Sequence, residues 1–140
     1  MSELLKSDGH SSLKERKETG AHYTPPALAQ FVSEQIVKAW PGTSNGYNAK
    51  ILDPAVGDGE LLLSLLENMN QKEGVEVFGF DTDSNAVANS TMRLSEKFPG
   101  ADISIAEENF LDSVKASRNY SLFGDSKFDY CDLVISNPSY

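Results

Sequence analysis

One cysteine in 140 residues, Cys131, excludes an internal disulfide and any metal centre built on several thiolates. Set in a predicted strand, it reads as a small buried hydrophobe and not as a nucleophile. Basic side chains are scarce as well: 12 Lys and Arg against 21 Asp and Glu leave a formal net charge of -9. That balance argues against this chain gripping a polyanion alone, because phosphate affinity depends on cations neutralising the backbone. No run reaches the roughly 18 apolar residues of a membrane-spanning helix, and the opening Met1-Ser2-Glu3-Leu4-Leu5-Lys6 has no signal-peptide core. A cytoplasmic protein without membrane contact is expected. The two histidines, His10 and His22, are not joined by Cys or carboxylates at ligand spacing, so no metal site is expected.

What is present is an ordinary soluble composition, 39% hydrophobic and 24% charged, in a length that holds one domain at most. That length buries a real core but is small for a complete doubly wound enzyme. Residues 1–18 are polar, mixed in charge and aperiodic, and read as a flexible arm; Lys14-Glu15-Arg16-Lys17 is a solvated charge run, with phosphate contact as its alternative. Thr24-Pro25-Pro26 reads as an N-cap followed by first-turn prolines. Leu28, Phe31, Val32, Ile36 and Trp40 continue at helical spacing to the stop signal Pro41-Gly42, so one face of this helix is expected on a sheet. Gly42 to Asn48 is a turn-rich linker.

From Lys50 onward strand and helix alternate. Strands are expected near 50–53, 75–81, 102–106 and 130–135, and helices near 59–72 and 84–97, with 112–124 left open. Regular alternation implies right-handed crossovers and a parallel sheet, an α/β fold.

The strongest local signal is Ile51-Leu52-Asp53-Pro54-Ala55-Val56-Gly57-Asp58-Gly59-Glu60, an apolar strand entering a glycine-containing turn ahead of the leucine-rich segment Leu61 to Leu66. Glycines at a strand's carboxyl end let a ligand approach the backbone, and the next helix begins with free N–H groups facing it. A plain tight turn is the alternative. Only Gly57 and Gly59 fit a G-x-G-x-x-G pattern and no Lys-Ser/Thr pair follows, so a phosphate loop is excluded. Asp53 and Asp58 would repel pyrophosphate and suit a cationic ligand, such as a sulfonium carrying an amino acid group.

About 20 residues further on, the spacing at which neighbouring strand tips lie side by side, the second strand ends in Phe80-Asp81-Thr82-Asp83. A carboxylate there accepts hydrogen bonds from both hydroxyls of a ribose, which makes Asp81 the ribose ligand, with Thr82 beside it and plain surface turn acids at 81 and 83 as the alternative. Asp83 is placed to cap the next helix. After the third strand comes Glu107-Glu108-Asn109-Phe110, where a polar side chain can bond an adenine amino group and a phenyl ring can cover the base, or where a loop simply buries a Phe. The last strand runs into Asn137-Pro138-Ser139-Tyr140. The Asn137 side-chain oxygen and the Pro138 carbonyl can both accept from a planar NH2 group, and Tyr140 offers a face for a flat substrate. Asn-Pro also opens ordinary turns.

Taken together these segments resemble the N-terminal part of bacterial adenine-N6 DNA methyltransferases of restriction-modification systems, which use S-adenosylmethionine. The resemblance rests on Gly20-Ala21-His22-Tyr23-Thr24-Pro25, on Asp53 to Gly59, and on Asn137 to Tyr140, and it runs from about residue 14 to residue 140. It implies a Rossmann-like methyltransferase fold, in which His22, Tyr23 and Thr24 help hold the methionine portion of the cofactor and Asp53, Pro54, Ala55, Gly57, Asp58 and Gly59 wrap its amino acid end. It further implies that Asp81 binds ribose, with Thr82 beside it among the cofactor-binding residues, that Asn109 and Phe110 frame the adenine, and that Asn137, Pro138 and Tyr140 grip the target base. Asn109 stands where an Asp is usual and Ser139 where a Pro is frequent; neither change removes the Asn137 oxygen, the Pro138 carbonyl or the aromatic face.

The resemblance implies direct displacement, with adenine N6 attacking the sulfonium methyl, hydrogen bonds to Asn137 and Pro138 localising the amine lone pair, and Tyr140 stacking on the flipped base. The same Asn-Pro-x-Tyr box also serves methyltransferases acting on a glutamine side chain or on guanine N2 in RNA; the Gly20 to Pro25 segment favours the DNA-adenine group. A third reading is a non-catalytic cofactor-binding module. Residues 19–140 read as a partial domain of about four parallel strands without a target-recognition region, so DNA is expected to be held through regions absent from this chain. The fourth strand is then an exposed edge that a dimer mate or partner subunit would cover, and methyl transfer by the 140 residues alone is expected to be undetectable.

Overall fold

The computed structural model describes residues 24–40, 48–120 and 131–137. Eight elements follow in chain order: α1 (Pro26–Ala39), β1 (Lys50–Asp53), α2 (Glu60–Asn68), β2 (Glu76–Asp81), α3 (Ser84–Lys97), β3 (Asp102–Glu107), α4 (Phe110–Tyr120) and β4 (Leu133–Val134). All strand pairs are parallel and the sheet order is β3-β2-β1-β4. The expected α/β architecture with an N-terminal helix is therefore present. Because the order turns back at β1, the carboxyl ends of β1 and β4 flank a topological switch point, where α/β sheets bind ligands.

The core lies where apolar runs are continuous. Ile51 and Leu52 of β1 and Val77 and Phe80 of β2 are buried, as central parallel strands require. Helix α2 buries Leu61, Leu62, Leu65 and Leu66, because it is covered on several sides, by α1 and α3 among others. Each such leucine contributes about 1.5–3 kcal/mol through removal from water.

Helix α1 departs from expectation in three ways. It packs mainly on α2 and not on a sheet. Ala29 and Ser33 form its buried stripe, with Val32, Ile36 and Val37 partly covered beside them, while Leu28 and Phe31 face outward. The small side chains allow close helix approach where larger ones would hold α2 away. Polar groups complete this seam: Gln30 Oε1 accepts from Ser64 Oγ at 3.3 Å and from Asn68 Nδ2 at 3.2 Å. Finally, Thr24 does not cap the helix. Pro25 takes the N-cap position with no side-chain cap and Pro26 starts the helix, so the Thr24 hydroxyl lies one residue too early.

Asp83 caps α3 as expected, its Oδ1 accepting from the Asn85 N–H at 2.9 Å. α2 ends earlier than its pattern predicts, at Asn68, whose side chain turns back to the Ser64 carbonyl at 2.7 Å. The open segment after β3 forms α4, with Asn109 Oδ1 accepting from the Leu111 N–H at 2.9 Å at its start. β4 is shorter than expected, but Asp132 N–H to Lys50 O at 2.8 Å and Ile135 N–H to Leu52 O at 2.9 Å extend its pairing by a residue at each end. The expected arm, the 42–47 linker and the strand start at Tyr130 lie outside the described residues. Among the described residues no helix is long and apolar enough to cross a membrane.

Candidate active site

Parallel pairing places every strand's carboxyl end on one edge of the sheet, and the expected site residues within the described segments gather there. β1 delivers Asp53, which is 1% exposed, with Oδ1 accepting from the Ala55 N–H at 3.0 Å. Burial pushes its carboxyl up to about 7, the Ala55 hydrogen bond opposes the rise, and the nearby Asp81 charge adds to it. Pro54 and Ala55 lead into Val56, whose N–H donates to the Phe80 carbonyl at 2.9 Å. Gly57 and Gly59 take φ of +59° and +82°, the left-handed region in which a side chain is strained. Asp58 Oδ1 accepts from the Glu60 N–H at 3.2 Å at the start of α2.

Asp81 stands at the tip of β2. Its Oδ2 accepts from the Gly57 N–H at 2.8 Å and its Oδ1 from the Asp83 N–H at 2.9 Å. Two backbone donors fix the carboxylate in place, and each oxygen retains a lone pair for a ligand hydroxyl. Thr82 beside it is exposed. At the end of β3, the Phe110 ring lies 5.4 Å from that of Phe80 at an interplanar angle of 58°, half-buried, with Asn109 exposed next to it. Asn109 Oδ1 accepts one hydrogen bond at the α4 start, which leaves that oxygen a second lone pair and the amide nitrogen its two N–H groups to meet a ligand.

Past β4, Asn137 reaches the segment ahead of α1: its Nδ2 donates to Thr24 Oγ1 at 3.2 Å. These residues are 113 positions apart, and Thr24 is buried. His22, Tyr23, Pro138 and Tyr140 lie outside the described residues. Among the described residues no group of three or more His, Cys, Asp or Glu is arranged to hold a metal ion.

Three supporting residues escaped sequence reasoning. Arg93 donates from Nη1 to the Asp58 carbonyl at 2.7 Å and from Nη2 to Glu60 Oε2 at 2.8 Å, bracing the glycine turn from α3; nothing local in the sequence marks it. Gly79 in β2 lies under Val56, so close that an added Cβ would meet Val56 Cγ2 at 2.4 Å. A glycine inside a strand pattern is the signal that was available. Ser90 sits 3.0 Å from where a Gly59 Cβ would be, letting α3 approach the turn.

The residues from 9 to 140 match the family described as N-6 DNA Methylase. The chain belongs to that family. A relative, the type II methyltransferase M.BanIII of Aneurinibacillus aneurinilyticus, is 39% identical over 134 residues, covering 91% of this chain and 23% of its own length. Among solved structures, the type I restriction-modification methyltransferase subunit from Streptococcus thermophilus superposes with a TM-score of 0.58 at 19% identity, over 84% of this chain and 23% of its own. The plantazolicin methyltransferase BpumL, in complex with SAH, superposes with a TM-score of 0.52 at 16% identity, over 90% of this chain and 39% of its own. These likenesses establish a methyltransferase fold. The chain spans less than a quarter of the length of M.BanIII.

Proposed function

We propose that this chain carries the S-adenosylmethionine cradle and the acceptor motif of a DNA adenine-N6 methyltransferase belonging to a restriction-modification system. The observation that carries the reading is the convergence of two sets of groups at one switch point. Anchored acids, Asp53 and Asp81, stand at the β1 and β2 tips, and Asn137 stands beyond β4.

The residues present fit this cofactor. Asp81, held by two backbone N–H groups, keeps acceptor capacity for a ribose diol. Asp53 and Asp58 supply negative potential for an ammonium and a sulfonium, Gly57 and Gly59 admit the amino acid end, and Phe110 covers a purine. Held by these residues, S-adenosylmethionine would supply an electrophilic methyl group for the adenine N6 amine, with its sulfur as the leaving group and the amine proton lost to solvent. The chain's own residues position and polarise. Asn137 Oδ1 and the Pro138 carbonyl accept from the N6 amine, drawing its lone pair out of the ring, and Tyr140 stacks on the base. Proximity carries much of the rate.

With a net charge of -9, the grip on double-stranded DNA belongs to protein regions beyond these residues. A second reading is favoured by β4, which sits at a sheet edge with Val134 58% exposed: a cofactor-binding module whose edge meets a partner or a dimer mate. Calorimetric titration of this chain with S-adenosylmethionine, followed by radioactive methyl transfer to DNA by the protein that carries it and analysis for N6-methyladenine, separates the two. Binding with transfer supports the enzyme, binding without transfer supports the module, and a folded chain that binds nothing sinks both.

A further inference from the structure

The structure joins two motifs that sequence reasoning gave to different ligands. Thr24 belongs to the segment resembling a cofactor motif, and Asn137 to the acceptor motif, yet the Asn137 amide nitrogen donates to the Thr24 hydroxyl oxygen at 3.2 Å. We propose that Thr24 is a positioning residue for the acceptor: by seating Asn137 Nδ2 it leaves Oδ1, the other arm of the planar amide, to accept from the target amine. This rests on the reading of Asn137 as the acceptor-binding residue.

Three features make Thr24 a suitable clamp. It is 7% exposed, so water competes weakly for the bond. The two following prolines stiffen its backbone: a residue before proline is held extended, and Pro25 sits at φ -58° and ψ 139° as the N-cap of α1. Helix α1 is in turn fixed to α2 by Ala29, Ser33 and the Gln30 hydrogen bonds, so the hydroxyl is carried by a braced element. The prolines also explain why this threonine is free of the capping role its sequence position suggests. Asn137, by contrast, lies outside regular secondary structure, three residues past the two-residue strand β4. A terminal amide torsion is broad and soft. An external hydrogen bond is what narrows it.

The test uses the 15N-labelled 140-residue chain and two near-isosteric variants. Thr24→Val removes the hydroxyl, and Thr24→Ser keeps it. In the wild type and in Thr24→Ser the Asn137 side-chain amide protons are expected to be shifted from the positions of free asparagine and slowed in exchange. In a folded Thr24→Val they are expected to move toward the positions of free asparagine and to exchange several-fold faster. Unchanged Asn137 amide signals in folded Thr24→Val would overturn the contact. If that variant does not fold, Thr24→Ala read the same way takes its place.

In methyl transfer by the protein that carries this chain, Thr24→Val should lower kcat about tenfold or more, a size expected for a mispositioned reacting group. The Kd for S-adenosylmethionine should move less than threefold, and Thr24→Ser should restore kcat. Equal loss in kcat and cofactor affinity would return Thr24 to the cofactor. A wild-type protein that does not methylate DNA adenine would sink the proposed function and leave the amide signals to decide the Thr24–Asn137 contact.

Discussion

The backbone N–H of Gly57 donates to Asp81 Oδ2 at 2.8 Å, tying the turn after β1 to the tip of β2. One carboxylate thus organises the loop that lines the site while keeping lone pairs for a ligand. Asp81→Ala should weaken S-adenosylmethionine binding by about 1–3 kcal/mol, roughly fivefold to 150-fold, through loss of charge-assisted hydrogen bonds. Asp81→Asn retains one acceptor oxygen and should lose less. Calorimetry decides, and equal affinity in wild type and Asp81→Ala would remove Asp81 from the ribose role.

Gly79 owes its place to packing. A Cβ there would meet Val56 Cγ2 at 2.4 Å and Ile105 Cγ1 at 3.2 Å, contacts that force the turn off β2. Gly79→Ala should therefore destabilise by about 1–3 kcal/mol as overpacking does. Trimming the opposing side chain in a Gly79→Ala, Val56→Ala double variant should recover part of that loss. Urea melts of the four proteins in this cycle check it, and strictly additive losses would show that the two positions do not meet.

Much of this fold was legible because its signals are local. β1, α3 and the Asp83 cap follow from apolar run, helical period and capping chemistry within a few residues. The candidate site's edge was legible for a related reason: in a parallel sheet each strand's carboxyl end falls on the same side, so motifs following strands must converge. What stayed hidden depends on partners distant in sequence. The inward face of α1 is set by where α2 lies, which favoured Ala29 and Ser33 over the larger Leu28 and Phe31. Arg93, 35 residues from the carbonyl it braces, carries no local mark. Nor could spacing show that the Thr24 hydroxyl meets Asn137 and leaves its helix uncapped.

Ser33 is fully buried in α1, and its hydroxyl is the one buried side-chain polar atom without a partner among the described residues. Leaving a hydroxyl unsatisfied costs about 1–3 kcal/mol, and alanine is also the better helix former. Ser33→Ala should raise stability by about 1 kcal/mol with an unchanged denaturant slope. A lower urea midpoint in this variant would mean that the hydroxyl bonds a group in solution, and the buried orphan would be discarded.

Asp53 gives the site a pH dependence with a definite sign. Its carboxyl is raised to about 7, chiefly by burial, from an ordinary value of 3.8. Between those values the unfolded chain has released the proton and the folded chain still holds it, so this group makes stability fall as pH rises, and the fall ends above about 7. With the slope at most 1.36 kcal/mol per pH unit and flattening as the folded group ionises near 7, the loss from pH 5 to pH 7 is about 2 kcal/mol. Asp53→Asn keeps the oxygen that accepts from Ala55 and cannot ionise, so it should remove that slope and be the more stable protein at pH 8. A cation bound beside Asp53 reverses the balance by favouring the carboxylate. Cofactor affinity in the wild type should then rise between about pH 6 and pH 8, with a proton released on binding that calorimetry in two buffers of different ionisation enthalpy can count. Asp53→Asn should bind more weakly and release none. Equal stability slopes in the two proteins would mean that Asp53 is ionised throughout, and a ligand with no proton release would place its positive charge away from this strand tip.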